Sequence, residues 1–308
     1  MRFQKLVAVD NTGMEPDAKE KIKEYAQEVK FYEDFPSNPL EIIARIKRSS
    51  PNEPPADAVL VSWNTSIDRS IIEHCPSIRY IGMCCSLYDE KSANVDIKAA
   101  RENGIQVLGI RDYGDEGVVE FIISELIRLF HGFGENMWKS EPVELTNQKL
   151  GIVGLGTTGK MLADTALAFG MKVFYTSRTR KPDFEAKGLQ YLELSEMLGV
   201  VDVVSTHLPK HTVVLGDKEF DIMGKGKILI NTSLSPTYEI EPFTEWVQKK
   251  DNYAIFDRAA MGEYFERFKR LDAVISSHKV SGWTKQARKR LSEKVIENIH
   301  SFLNTTNE

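Results

Sequence analysis

Short apolar runs alternate along the chain with segments whose apolar residues recur roughly every three to four positions. The runs predict strands and the recurring segments predict helices. The predicted strands cover residues 5–10, 58–63, 79–85, 105–110, 150–153, 171–176, 189–192, 201–209, 225–233, 253–257 and 273–277. The predicted helices cover 15–29, 68–74, 95–102, 116–133, 161–167, a segment near Ser195, 240–249 and 284–303. This alternation predicts parallel sheets with helices on both faces.

The length of 308 residues exceeds what one compact core organises, so we expect two domains. We place the first at 1–112 and the second at 113–283, with a C-terminal helix at 284–308 that crosses back to complete the first. The predicted fold class is α/β, with two Rossmann-like, doubly wound parallel-sheet domains and a cleft between them. Residues 49–57, SSPNEPPAD, are too rich in proline and polar residues for anything but a loop.

A glycine motif lies between the predicted strand at 150–153 and the helix that follows it, in the sequence LGIVGLGTTGK. Glycine at the first position allows a sharp turn, at the second it lets a phosphate approach the backbone, and at the third it lets the helix pack closely. With a second strand at the spacing of a βαβ unit, the motif predicts dinucleotide binding rather than a glycine-rich turn that binds nothing. The residues predicted to contact the dinucleotide are Gly154, Gly156, Thr157, Thr158 and Gly159.

The second strand of this unit ends in FYTSRTRK. Dinucleotide-binding units that use NAD usually carry an acidic residue here for the ribose hydroxyls, and Ser177 occupies that position. Arg178, Thr179 and Arg180 follow, and a guanidinium can hold a 2′-phosphate through a bidentate fork. These residues predict NADP(H) as the preferred cofactor. The alternative is a basic, solvated loop on a protein that uses NAD(H).

Composition excludes several classes of partner. The net charge is −5, the isoelectric point is near 5.8, and basic and acidic residues are mixed along the chain, which is untypical of nucleic-acid or membrane binding. No run of eighteen apolar residues and no secretory signal appears, so we expect a cytoplasmic protein. Neither a disulfide framework nor a metal site is predicted, since the cysteines are Cys75, Cys84 and Cys85, and Pro209 breaks the spacing of His207 and His211.

Stretches spanning nearly the whole chain resemble the D-isomer-specific 2-hydroxyacid dehydrogenases, and within them the glyoxylate and hydroxypyruvate reductase branch. They include RYIGMCCSLYDEKSANVDIKAARENGIQVLG, LGIVGLGTTGK, FYTSRTRK, VDVVSTHLP, KGKILINTS, IFD and SGWT. The resemblance implies an NAD(P)-dependent oxidoreductase that reduces a small 2-oxo acid to a D-2-hydroxy acid. It also implies that residues 1–112 form a flavodoxin-like substrate domain, and that a homodimer forms through the nucleotide-binding domains with the helix at 116–133 in the interface.

The resemblance also assigns site residues. Those matching the family's cofactor-binding positions in the second half are His207, Leu208, Pro209, Thr232, Ser233 and Asp257. Where the family has a glycine-containing loop whose backbone N–H groups hold the substrate carboxylate, this chain has Met83, Cys84, Cys85 and Ser86. We therefore expect Cys84, Cys85 and Ser86 to line a crowded substrate pocket.

The family's catalytic residues match less well. Leu234 stands where the family has the arginine that clamps the substrate, and Ser235 replaces the glycine after it. Loss of a donor aimed at developing charge costs roughly 10²- to 10³-fold in rate. Arg111 or Arg258 is a candidate to supply the lost charge from another position.

The acid and its carboxylate partner are displaced as well. Aligned on SGWT, Lys279 takes the place of the family's histidine and His278 that of the preceding proline. Either His278 or Lys279 is the proton donor, since a desolvated lysine can titrate near neutral pH. Glu263 lies one residue beyond the spacing of the carboxylate partner, which Gly262 occupies. Two hypotheses follow: a reductase with an altered site, or an NADP(H)-binding pseudoenzyme that acts as a sensor or interaction module.

Overall fold

A computed structural model describes residues 2–47 and 53–305. It divides into two units, one formed by the described residues up to Tyr113 together with those from Lys285 onward, the other by Gly114–Thr284. Residues 49–52 of the predicted loop and 306–308 of the predicted final helix lie outside the described residues.

The described residues up to Tyr113 form five strands and four helices. The strands are β1 (Phe3–Ala8), β2 (Ala26–Phe31), β3 (Ala58–Val61), β4 (Tyr80–Ser86) and β5 (Gln106–Ile110). The helices are α1 (Pro16–Ile22), α2 (Pro39–Ile46), α3 (Arg69–His74) and α4 (Ile97–Glu102). All strand pairs are parallel, in the order β2-β1-β3-β4-β5. The order reverses between β1 and β3, as in flavodoxin-like sheets.

The predicted helix at 15–29 is wrong in its second half. Helix α1 ends at Ile22, and Ala26–Phe31 forms β2, whose residues pair in parallel with β1 from Phe3 to Ala8. The apolar positions Ala26 and Val29 fit a helical period, but pairing with a central strand provides backbone hydrogen bonds that outweigh weak local propensity. The pattern also gave no prediction for α2, whose N-cap is Asn38.

The second unit is a larger parallel α/β layer. Its strands are β6 (Lys149–Val153), β7 (Lys172–Thr176), β8 (Gln190–Tyr191), β9 (Val203–Thr206), β10 (Ile228–Asn231), β11 (Tyr253–Phe256) and β12 (Val274–Ser276). Its helices are α5 (Asp115–His131), α6 (Thr157–Ala168), α7 (Pro182–Glu185), α8 (Leu194–Val200), α9 (Asp217–Met223), α10 (Ile240–Val247), α11 (Arg258–Met261) and α12 (Phe265–Phe268), with a 3₁₀ turn at Gly262–Tyr264. The strand order is β12-β11-β10-β9-β6-β7-β8.

The last helix, α13 (Lys285–Thr305), packs on the five-stranded sheet. Its apolar residues Leu291, Val295, Ile299 and Phe302, spaced three to four positions apart, are all buried there. The Phe302 ring stacks on Phe3 of β1 at 5.6 Å. Among the described residues, no helix combines the length and apolarity that crossing a membrane requires. The two parallel sheets confirm the predicted fold class.

Candidate cofactor and catalytic site

The strands of the second unit end in one row. Pairing aligns Val153 of β6 with Thr176 and with Thr206, and the alignment continues through Asn231 and Phe256 to Ser276 of β12. Carboxyl ends of parallel strands meet at one edge, where ligands of α/β sheets bind. Every site residue predicted in this half therefore follows the row directly or within a few residues.

The glycine turn after β6 has two structural glycines and one open one. Gly154 has φ +95°, and a Cβ there would lie 2.3 Å from the His207 carbonyl oxygen. A Cβ on Gly159 would lie 2.3 Å from the Gly154 carbonyl oxygen. No described heavy atom outside its chain neighbours would approach within 4 Å of a Cβ on Gly156. The first and third glycines are thus required by the fold, while the second leaves an open surface.

This open surface lies at the start of α6. Gly156 is the N-cap and has no side chain to bond the first N–H groups, which have no acceptor within the helix. The free N–H groups and the helix dipole attract an anion. Thr157 is exposed beside them, and the Thr158 hydroxyl donates to the Asp115 carboxylate of α5. The backbone therefore fits the pyrophosphate of a dinucleotide.

The loop after β7 places the guanidinium of Arg178, which has no partner among the described residues, beside this turn. The Gly154 N–H donates to the Thr176 carbonyl at 2.9 Å, which joins the glycine turn to the end of β7. The Ser177 hydroxyl donates to the Thr179 carbonyl at 2.6 Å. Arg178 is exposed and makes no hydrogen bond or ion pair with the described residues. Arg180, in contrast, forms an ion pair with Glu185.

The ends of β9 and β10 are fastened to each other. The Leu208 N–H, next to Pro209, donates to the Ser233 hydroxyl at 3.2 Å. The side chain of Asn231 accepts from the Ser233 N–H at 2.9 Å and donates to the Ser235 carbonyl at 3.0 Å. This role of Asn231 was not predicted from the sequence, although a buried polar residue at a strand end signals such a loop anchor. Thr232, between these anchored residues, is half-buried.

His207 is held as a neutral ring. The ring Nε2 lies 2.9 Å from the Ser205 hydroxyl, and the backbone N–H of His207 donates to the Val153 carbonyl at 2.8 Å. Burial lowers the pKa of His207 to about 4, because an imidazolium loses hydration there. A neutral His207 adds no positive charge to the edge at neutral pH.

Asp257, after β11, works as an anchor. Its carboxylate accepts from the Ala260 N–H at 2.9 Å, which caps α11, and from the N–H and hydroxyl of Ser281, both at 2.8 Å. Burial raises the pKa of Asp257, while these donors lower it. Asp257 therefore ties the segment after β12 to the end of β11. A contact with the nicotinamide remains a prediction.

An aromatic ring joins two of the candidate catalytic side chains. The guanidinium of Arg258 lies 4.5 Å from the centroid of the Phe265 ring, and the His278 ring meets Phe265 edge-on at 5.2 Å. Arg258 also donates to the Gly262 carbonyl at 3.0 Å. Phe265 is buried in the core beneath them. Arg258 and His278, which were predicted for different roles, thus contact one ring, that of Phe265, for which the sequence gave no signal.

The structure does not bring Glu263 to either candidate acid. Glu263 is exposed and makes no ion pair with any described residue, so its partnership with His278 or Lys279 remains a prediction. The turn Gly262–Tyr264 begins with Gly262 at φ +52°, and it leaves Glu263 exposed while Phe265, directly after it, is buried. Lys279 is also exposed, and its carbonyl accepts from the Arg258 N–H at 3.1 Å.

Leu234 lies in the open at this edge. Its side chain is 38% exposed, while Ser233 and Ser235 on either side are buried. The Ser235 hydroxyl accepts from the His211 N–H at 2.8 Å. The strand and loop thus keep an anchored backbone around an exposed apolar side chain.

In the first unit, the cysteines do not line a pocket as expected. Cys84 and Cys85 belong to β4, a strand covered on both faces, so their side chains alternate into the two cores and are 0% and 3% exposed. Burial raises the pKa of the Cys84 thiol well above its usual value. Ser86 is half-buried and hydrogen-bonds to Tyr113. Arg111 donates to the carbonyls of Leu87 and Tyr88 at 2.8 and 3.0 Å.

Within the described residues, no group of three or more histidine, cysteine, aspartate or glutamate side chains could hold a metal ion.

Comparison with known proteins agrees with this geometry. Residues 127–258 match the model of the D-isomer specific 2-hydroxyacid dehydrogenase, NAD binding domain. The chain is 28% identical over 287 residues to a hydroxypyruvate reductase of Blautia hydrogenotrophica, with 85% of each chain covered. It is 28% identical over 272 residues to a glyoxylate reductase of Thermococcus litoralis, with 80% of each covered.

A solved structure shares the fold. The structure of an acyclic imino acid reductase in complex with NADPH and D-Arg matches with a TM-score of 0.81 at 23% identity, covering 98% of this chain and 97% of that one. The matched domain, the relatives and the shared fold agree with the glycine turn and with the two parallel sheets. Residues 127–258 therefore form the NAD binding domain of a D-isomer-specific 2-hydroxyacid dehydrogenase, and most of the chain is similar to hydroxypyruvate and glyoxylate reductases.

Proposed function

We propose that this protein binds NADP(H) and reduces a small 2-oxo acid to a D-2-hydroxy acid. The observation that carries the proposal is the pairing of an open glycine, Gly156, with a free cation, Arg178, at the ends of two neighbouring strands. The bound cofactor supplies the hydride. The protein's own residues hold the dinucleotide, bind the substrate carboxylate and deliver one proton to the new hydroxyl.

The preference for a 2′-phosphate rests on Arg178. A carboxylate at position 177 would accept hydrogen bonds from ribose hydroxyls and repel a phosphate, whereas Ser177 does not repel one. Arg178 follows it with all five guanidinium donors free of described partners. NAD(H) remains a possible cofactor, bound through the same glycine turn but without the charge-assisted contact.

The substrate class follows from the relatives and from the cation near His278. The names of the two curated relatives indicate glyoxylate and hydroxypyruvate, both small 2-oxo acids. Arg258 is our candidate for the substrate carboxylate, because its guanidinium donates to one carbonyl, that of Gly262, whereas the Arg111 guanidinium donates to two. His278 is favoured over Lys279 as proton donor, since its ring contacts Phe265, as the Arg258 guanidinium does.

We also propose a homodimer that forms through the nucleotide-binding unit, with α5 in the interface. Its half-buried apolar residues Val118, Phe121 and Ile127 and the exposed Phe133 after its end support this assembly. Light scattering of the purified protein tests it, and a monomer at micromolar concentration would contradict it.

The test begins with cofactor affinity. Fluorescence titration should give a lower Kd for NADPH than for NADH. Arg178→Ala should raise the NADPH Kd by about 10-fold, the value of one charge-assisted contact at an exposed site, and leave the NADH Kd unchanged. Equal affinities in both proteins would refute the 2′-phosphate assignment.

Turnover is tested next with glyoxylate, hydroxypyruvate and pyruvate as oxidants of NADPH. His278→Gln should abolish most of the turnover, and Lys279→Gln should leave it largely intact. The reverse ranking would move the acid to Lys279. Unchanged turnover in both variants would remove this segment from the chemistry.

A pseudoenzyme is the second candidate, favoured by the exposed Leu234 and the unpaired Glu263. It predicts tight NADPH binding with no oxidation of NADPH by any of the three acids. Binding and turnover in the same titration therefore separate the two functions.

A further inference from the structure

Glu185, at the end of α7, holds the second arginine of the cofactor loop. The Arg180 guanidinium donates from Nε to Glu185 Oε1 at 3.0 Å, and its NH2 group donates to Oε2. This bidentate pair occupies the Nε–NH2 edge of the guanidinium, one of its two edges that can bind a phosphate through two hydrogen bonds. Arg180 is nevertheless at the surface, since its side chain is 63% exposed.

The carboxylate of Glu185 is itself held in place by a hydrogen bond from a core residue. The hydroxyl of Tyr175, a fully buried residue of β7, donates to Glu185 Oε1 at 2.6 Å. The same hydroxyl accepts from the Lys181 N–H at 2.7 Å. Because the Tyr175 ring is locked in the core, Glu185 has a defined position.

Arg180 is restrained on its other side too. Its guanidinium lies 5.2 Å from the centroid of Tyr191, whose ring packs edge-on against Tyr175 at 5.4 Å. Arg180 and Tyr175 both lower the pKa of Glu185, so this group is a carboxylate at neutral pH. The loop therefore presents one free guanidinium and one neutralised by a fixed negative charge.

We propose that Glu185 is a specificity-determining residue that limits the affinity for the 2′-phosphate by withholding Arg180 from it. The inference rests on the proposed function, since it requires the 2′-phosphate to lie at this loop. A bound phosphate must compete with Glu185 for Arg180, and it meets a second anion at the same edge. Glu185 thus acts as a positioning residue, through Arg180.

The test uses Glu185→Gln, which keeps an oxygen for the Tyr175 hydroxyl but removes the charge that holds Arg180. Calorimetry with adenosine 2′,5′-bisphosphate and with ADP measures binding without turnover. The variant should bind the 2′,5′-bisphosphate about 3- to 10-fold more tightly, the scale of one exposed ion pair, and bind ADP unchanged. A variant that only loosened the loop would weaken the binding of both ligands or neither.

Glu193→Gln is a matched control. Glu193 accepts from the Tyr191 hydroxyl at 2.8 Å, as Glu185 does from Tyr175, but it forms no ion pair with Arg180. The control should leave both affinities unchanged, and an equal gain in it would overturn the role of Arg180. Unchanged or weaker bisphosphate binding by Glu185→Gln would also overturn the proposal.

Arg178→Ala separates failure of this inference from failure of the proposed function. If that variant loses affinity for the bisphosphate while Glu185→Gln gains none, the 2′-phosphate lies at the loop but Glu185 does not limit it. If neither Arg178→Ala nor Glu185→Gln changes the bisphosphate affinity, the 2′-phosphate assignment itself fails.

Discussion

At the carboxyl-end edge of the seven-stranded sheet, the region after β6 and β7 is shaped by the backbone, whereas the surface after β10, β11 and β12 is formed by side chains. We call these regions the backbone half and the side-chain half of the edge. At β6 and β7, backbone packing sets the geometry: Gly154 and Gly159 are required by carbonyl oxygens that a Cβ would meet at 2.3 Å. At β10 to β12, the backbone is equally well anchored, by Asn231 and Asp257, but the side chains at the surface depart from the family. A nucleotide turn made of backbone cannot change without refolding, whereas a catalytic edge made of side chains can. The departures at Leu234, Glu263 and Lys279 are therefore compatible with an intact cofactor turn.

The largest effect should come from breaking the backbone half. Gly154→Ala places a Cβ at φ +95° and against the His207 carbonyl, so we expect a loss of about 3 kcal/mol or more in the free energy of unfolding. Urea denaturation followed by circular dichroism measures this loss.

Gly156→Ala is the control, because its Cβ has open space and its φ is −81°. It should keep wild-type stability within about 1 kcal/mol and weaken NADPH binding by about 10-fold, since the methyl group stands before the helix N-terminus. Equal destabilisation by both substitutions would show that Gly156 is structural rather than open to a ligand.

In the side-chain half, returning the family's arginine to position 234 should raise the rate of reduction. Leu234→Arg returns a guanidinium to the family position, and the exposed leucine leaves room for the longer side chain. If the site is a weakened reductase, kcat/KM for glyoxylate should rise by about 10- to 100-fold. Steady-state oxidation of NADPH measures the change.

Leu234→Gln is the matched control for size and polarity without charge, and it should give little of the gain. A rate in Leu234→Arg no higher than in the wild type would favour Arg258 as a full replacement, if the wild type turns over. It would favour the pseudoenzyme if neither protein does.

The same contrast explains how far the sequence could predict the molecule. Glycine spacing and strand periodicity report backbone requirements, so the β6–α6 turn and the two parallel sheets could be predicted. Helix α1 and strand β2 could not be separated, because the period at 15–29 fits a helix until pairing with β1 decides it.

Side-chain partners were harder to predict. The burial of Cys84 and Cys85 depends on both faces of β4 being covered, which a short apolar run does not reveal. The clamp of Glu185 on Arg180 and the Phe265 ring under His278 depend on loop geometry. Resemblance to the family located the positions, but contacts among substituted residues had to come from the structure.

The smallest effect we expect is a pH dependence of the free energy of unfolding that comes from His207. This residue follows β9, between the two halves of the edge and next to the glycine turn. The folded pKa is about 4 and the ordinary value is 6.5, so between these pH values the unfolded chain binds the extra proton. Stability should therefore be complete above about pH 6.5 and fall as the pH drops towards 4, by about 1–2 kcal/mol, since His207 is only partly buried and solvent screens its charge. His207→Gln cannot take up this proton, so its free energy of unfolding should fall less than the wild type's over that interval.

Urea titrations at pH 7 and 4.5 measure the difference, with His300→Gln, at an exposed histidine of α13, as the control. Parallel losses in all three proteins would mean that carboxylates alone set the acid sensitivity, and that His207 accepts a proton in the folded state.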